Sequence, residues 1–203
     1  MKRVIAYIDG FNLYYGLRSK GWKQLYWLNL QKVALNLLTP DQTLVATKYF
    51  TAKISSPPDK QRRQNTYLEA LETLPNFQIY YGHYLEDTIK CRNCGYTYTT
   101  HHEKMTDVNI AMELLSDAFQ DAFDVALIIS ADSDLVGPLK KIKSLFPHNR
   151  AVMVFPPGRQ SHALKTTATA YTYLGRTVLA KSVFPDQVIK SDGFALQCPA
   201  SWQ

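Results

Sequence analysis

The chain predicts an α/β protein, a three-layer α/β/α sandwich around a mostly parallel central sheet, and three observations carry that expectation. Val4-Ile5-Ala6-Tyr7-Ile8 and Val125-Ala126-Leu127-Ile128-Ile129 are unbroken apolar runs, the mark of strands buried on both faces. Segments of strand composition alternate with segments of helical period, which implies crossover connections and helices on both sides of the sheet. The 203 residues, 46% hydrophobic and 20% charged, are enough for one core of ordinary composition.

After the first strand, Asp9-Gly10-Phe11-Asn12 reads as a turn into a short helix through Tyr14, Leu17 and Arg18. Leu30, Val33, Ala34, Leu37 and Leu38 recur three and four apart, a second helix stopped by Pro40. Residues 44–54 are rich in β-branched and aromatic side chains and read as a strand. Ser55-Ser56-Pro57-Pro58 opens a helix over 59–74 that buries Tyr67, Leu68, Leu71 and Leu74, and 77–85 is the next strand. The pattern then breaks into a small cysteine-containing insertion over 88–102, centred on Cys91-Arg92-Asn93-Cys94-Gly95. From Glu103 the period is helical again, with Val108, Ala111, Met112, Leu115 and Phe119 on one face. The strand 125–129, a helix over 135–146 and a strand over 151–155 follow, and Pro156-Pro157-Gly158 turns the chain. One domain is expected over 1–175, with 176–203 as a C-terminal tail that packs irregularly.

Both apolar runs end in acid. The first runs into Asp9 and the second into Ser130-Ala131-Asp132-Ser133-Asp134. Ligands of open α/β sheets sit beyond the carboxyl ends of the strands, and crowded carboxylates repel unless a cation joins them. Hard oxygen donors there point to Mg²⁺ or Mn²⁺. A lone acid after a strand, or Asp107 in a first helical turn, is ordinary turn or capping chemistry; two strand-end clusters, one of them Asp-x-Asp, are not.

The segments Tyr7-Ile8-Asp9-Gly10-Phe11-Asn12-Leu13, Glu103-Lys104-Met105-Thr106-Asp107-Val108-Asn109-Ile110-Ala111 and Ile129-Ser130-Ala131-Asp132-Ser133-Asp134-Leu135 resemble, in order, the three signature blocks of NYN domains, part of the PIN-like nuclease superfamily. The resemblance runs from about Val4 to Leu174. It implies a PIN-like fold and a metal-dependent ribonuclease, with Asp9, Asp107, Asp132 and Asp134 as the Mg²⁺- or Mn²⁺-binding acids. Such ions lower the pKa of a bound water and neutralise the leaving oxygen, so no protein nucleophile is needed. Asn12 is expected to orient a carboxylate or a water, or to cap its helix, and Ser130 places a hydroxyl near the same pocket.

The formal charge of +6 favours a polyanionic partner, and the resemblance implies RNA before DNA. Lys60, Arg62, Arg63, Lys104 and Arg159 fall near strand ends or helix starts and are the expected phosphate contacts. Cys91-x-x-Cys94 is half of a structural Zn²⁺ site, for which His101, His102, Cys198 or a second subunit would have to supply the remaining ligands. An odd cysteine count does not describe a secreted disulfide framework. With no apolar run long enough for a bilayer and no signal-peptide layout at Met1-Lys2-Arg3, no membrane is involved and the expected location is the cytoplasm.

The leading expectation is thus an endoribonuclease, with homodimerisation open. The alternatives are a non-catalytic RNA-binding or regulatory module with a structural ion, or a nuclease acting on DNA. A haloacid-dehalogenase-type phosphatase is weaker, because that chemistry needs an acid two residues past Asp9 and Phe11 stands there.

Overall fold

A computed structural model gives the backbone of residues 1–203 and the side chains of all but 84–88 and 98–104. In chain order the elements are β1 (Lys2–Asp9), α1 (Gly10–Ser19), α2 (Leu30–Leu35), β2 (Gln42–Thr51), α3 (Pro58–Glu72), β3 (Phe77–Tyr81), β4 (His83–Lys90), β5 (Thr97–Lys104), α4 (Thr106–Phe119), β6 (Val125–Ile129), α5 (Val136–Leu145), β7 (Arg150–Phe155), α6 (His162–Thr167), β8 (Ala170–Tyr173), α7 (Arg176–Ala180), β9 (Gln187–Ile189) and β10 (Ala195–Gln197).

The main sheet has six strands in the order β3-β2-β1-β6-β7-β8, every pair parallel. β1 and β6 are its centre and are buried almost throughout, as their apolar runs require. Alternate side chains of β1 enter different cores. Val4, Ala6 and Ile8 join Leu13, Leu17, Leu68 and Leu71 under α1 and α3. Ile5 and Tyr7 join Ile110, Leu114, Leu139 and Ile142 under α4 and α5. The three layers follow from that alternation.

Several expectations need correction. β2 spans Gln42–Thr51 rather than 44–54, and the strand expected over 77–85 breaks at Gly82, whose N–H bonds the Thr51 carbonyl at 2.8 Å. Beyond the break, β4 and β5 form a separate antiparallel hairpin, so the insertion begins at His83 and delays α4 to Thr106. On α4 the expected apolar face is not the buried one: Val108, Met112 and Phe119 are 56%, 62% and 82% exposed, while Ile110, Leu114 and Ala118 are buried. Polar Asp117 misled the sequence reading. It is buried because it bonds Lys48, which turns its face of α4 inward.

The tail is structured. Leu179, Phe184, Val188 and Leu196 enter the α1/α3 core, and the Trp27 indole N–H donates to the Pro185 carbonyl at 2.8 Å. No helix among the described residues is long and apolar enough to cross a membrane.

Candidate metal centre

The strand order reverses between β1 and β6: the chain winds from β1 to β2 and β3 on one side and from β6 to β7 and β8 on the other. Such a reversal opens a crevice at the carboxyl ends of the two strands. Ile8 pairs with Ile129, so the next residues, Asp9 and Ser130, leave the sheet side by side.

Asp9 caps α1. Its Oδ1 accepts the Asn12 backbone N–H at 2.9 Å, and its Oδ2 accepts the Asn12 side-chain amide at 2.6 Å and the Ser130 hydroxyl at 2.8 Å. Gly10 is what lets the helix start here, since a Cβ would lie 2.7 Å from the Tyr49 hydroxyl and 2.8 Å from the Phe50 carbonyl. The Ser130 Oγ in turn accepts the Asp132 N–H at 3.1 Å, and Asp132 Oδ1 accepts the Asp134 N–H at 3.0 Å to begin a 3₁₀ turn. One hydroxyl thereby ties together the two acid-bearing strand ends.

Asp107 comes from the first turn of α4. Met105 before it holds φ at 78°, a left-handed conformation uncommon outside glycine and a form of strain that gathers at functional sites. Carboxylate oxygens of Asp107, Asp132 and Asp134 lie within 4.8 Å of one another. Burial, and then Asp132, Asp9 and Asp134, push the Asp107 carboxyl up to about 7. Burial also raises Asp9, outweighing its bonds from Asn12 and Ser130, and Asp132 adds to the effect.

A hard divalent cation fits this set. Among the described residues no ion pair neutralises the cluster, and its donors are oxygens. Two of the three buried side-chain atoms without a hydrogen-bond partner among the described residues, Asn12 Oδ1 and Thr106 Oγ1, belong to the turns that carry Asp9 and Asp107. Buried polar atoms rarely stay unsatisfied, so both have capacity for an ion's water shell. Asp107, Asp132 and Asp134 form the group that could hold an ion; Asp9 stands beside them with both oxygens accepting hydrogen bonds.

The other predicted residues separate. Ser130, expected near the substrate, is fully buried, and its hydroxyl donates to Asp9 and accepts from the Asp132 N–H. Lys60 and Arg63 line a cavity of about 510 Å³ between α1, α3 and the C-terminus, where Arg18 joins them. Arg62 instead pairs with Asp59 at 2.8 Å on the exposed side of α3. Arg159 is exposed on the turn after β7 and does not line that cavity. Lys104, His101 and His102 fall outside the described side chains.

Cys91 and Cys94 sit at the tip of the β4–β5 hairpin. The tip is closed by Cys91 N–H to the Tyr96 carbonyl at 2.8 Å and Gly95 N–H to the Cys91 carbonyl at 3.0 Å, with Gly95 at φ 72°. Backbone N–H groups of Cys94 and Asn93 hold the Cys91 thiol below its ordinary range. Cys198 lies elsewhere, half-buried in a crevice with Trp27 and Asp186, which removes it as the expected third ligand. Among the described residues no cluster of metal-ligating side chains includes a cysteine.

The sequence reading missed Thr106 and Arg18. Arg18 had a signal, because Phe11, Tyr14, Tyr15 and Arg18 recur at helical spacing on the outer side of α1.

Among curated proteins, 6-hydroxy-3-succinoylpyridine 3-monooxygenase from Pseudomonas putida (strain DSM 28022 / S16) is 26% identical over 209 aligned residues, covering 86% of this chain. The match spans 66% of that relative's own length, just under two thirds. Among solved structures, a Vibrio parahaemolyticus RIMD 2210633 protein of unknown function superposes with a TM-score of 0.58 at 16% identity. The superposition covers 90% of this chain and 96% of that one, a likeness of fold. The family model for the NYN domain matches residues 3–175, the span that holds all four acids and the main sheet from the second residue of β1 onward, and the chain belongs to this PIN-like nuclease family.

Proposed function

We propose that this protein is a divalent-cation-dependent endoribonuclease that hydrolyses RNA phosphodiester bonds at the carboxylate cluster. The observation that carries the reading is the trio Asp107, Asp132 and Asp134, whose carboxylate oxygens gather within 4.8 Å of one another from α4 and the turn after β6. Bound there, Mg²⁺ or Mn²⁺ would supply Lewis acidity toward a phosphoryl oxygen and toward water. The chain's own groups hold the geometry. Asp107, Asp132 and Asp134 present oxygen ligands, Asn12 and Ser130 fix Asp9, and the basic surface, +6 overall, attracts the phosphate backbone.

The test is cleavage of a mixed RNA and DNA panel with Mg²⁺, Mn²⁺ or chelator. Metal-stimulated RNA cleavage that disappears in Asp132→Asn, with the fold intact, is the expected result. Undiminished cleavage by that variant would sink the assignment. Binding without turnover would favour a regulatory module, and DNA cleavage alone a DNA nuclease.

A second reading draws on the Pseudomonas relative and on the aromatic lining of the cavity beside α1: hydroxylation of a substituted pyridine. Oxygen consumption with 6-hydroxy-3-succinoylpyridine and a nicotinamide reductant tests it. No consumption above background is expected.

A further inference from the structure

The cavity of about 510 Å³ falls within the usual range for ligand sites. Gly10, the residue after Asp9, and Thr51, the last of β2, are part of its wall, so it opens on the same rim as the acids. Its aromatic side chains form a continuous chain. Phe11 stacks on Tyr15 with centroids 6.4 Å apart; Tyr15 meets Tyr14 at 5.4 Å, Tyr14 meets Tyr26 at 5.2 Å, and Tyr26 meets Trp202 at 5.8 Å. Tyr14 and Tyr15 are 40% and 42% exposed, which leaves ring surface free to stack.

The cavity's charge has one sign. Arg18, Lys60 and Arg63 line it, and no carboxylate does among the described residues. Its deeper polar groups are already committed: the Gln64 amide accepts from Ile54 N–H and donates to the Ala52 carbonyl, and the Tyr67 hydroxyl donates to the Leu28 carbonyl. Aromatic faces beside cations are what a single strand needs and what an apolar ligand does not, and stacking on a ring face accepts any base. Trp202 lies outside the family-matched residues, so the tail that carries it completes the wall from beyond the matched domain.

We propose that this cavity binds an unpaired nucleobase of the RNA strand, stacked against the Tyr14–Tyr15–Tyr26–Trp202 wall, with the adjoining phosphates held by Arg18, Lys60 and Arg63. The site rests on the nuclease reading and sharpens it: the substrate is single-stranded next to the scissile bond, and recognition is tolerant of base identity.

The test is binding of a fluorescently labelled single-stranded oligouridylate to the full chain in chelator, where no cleavage competes. Tyr14→Ala and Tyr15→Ala should each weaken binding at least about fivefold, with circular dichroism and melting unchanged, and Tyr14→Phe should restore it. Lys60→Ala with Arg63→Ala should weaken binding and flatten its salt dependence by about two phosphate contacts. Wild-type affinity in both tyrosine variants would overturn the proposal, as would tighter binding of a free pyridine carboxylate than of the oligonucleotide. The two readings fail separately. Loss of cleavage in Asp132→Asn with tyrosine variants that bind and cleave normally refutes only the base site. Tyrosine-dependent binding without any metal-stimulated turnover refutes only the nuclease.

Discussion

Helix α4 presents acids at two places, and the two clusters are built in opposite ways. Along its length, Glu113 and Asp117 meet Lys48 from β2, at 2.8 Å and 2.7 Å, and the Tyr7 hydroxyl also donates to Asp117. Burial pulls the Lys48 ammonium down, the two carboxylates outweigh it, and the charge stays in place. At its start, Asp107 meets Asp132 and Asp134 with Asp9 close by, and among the described residues no ion pair from a lysine or arginine reaches them. The same helix therefore carries one acid group neutralised from within and one that, among the described residues, has no counterion and could hold a cation. Natural folds neutralise buried charge where stability is all that is at stake. They leave it open where something must bind.

Removing the internal cation should have the largest effect. Lys48 is 6% exposed, and Lys48→Met leaves the buried Asp117 carboxylate and the partly exposed Glu113 without their cation, an expected loss of about 3 kcal/mol in urea unfolding. Asp117→Asn in the same background should recover part of it, and additive losses would show that the two residues do not act as a pair.

Removing an acid from the open cluster should act in the other direction. Asp107→Asn is expected to raise metal-free stability by about 0.5–2 kcal/mol, as relief of active-site repulsion does, while abolishing any rise in melting temperature on adding Mn²⁺. A destabilised variant that still responds to Mn²⁺ would contradict the contrast between the clusters.

The smallest effect is pH dependence. With its folded pKa up to about 7, Asp107 binds its proton more tightly in the folded chain than in the unfolded one. That contribution to stability is complete below the ordinary value of 3.8 and is lost as pH rises through 7. Metal-free melting temperature should therefore carry a component that declines from pH 4 to 7. Because a cation competes with the same proton, the gain from Mn²⁺ should grow between pH 6 and 8, and calorimetric scans with and without metal measure both. Asp107 is only half-buried, so solvent screening keeps the change modest.

Much of the site was legible because its signals are local. An apolar run that ends in acid states where a buried strand stops and what stands at its end, and both runs became the central strands. The hairpin was not legible as strands, because polar residues in a small two-stranded sheet lack the alternation that marks a buried face. The exposed face of α4 was misread because helical period finds apolar stripes without saying which one packs, and a buried ion pair chose the other. The base cavity was also hidden, since Phe11, Tyr14 and Tyr15 meet Tyr26 and Trp202 only after the tail folds back.

By itself the sequence determined the layered α/β fold, the two acid-tipped central strands and the family, since hydrophobic period and short motifs depend on neighbours a few residues apart. Only the tertiary structure decided the rest. Parallel pairing of β1 with β6 brought Asp9 beside Ser130, although 121 positions separate them. The same folding gave Lys48 to one acid group and, among the described residues, no cation to the other, because charge balance in a buried cluster is set by which distant side chains the packing brings together.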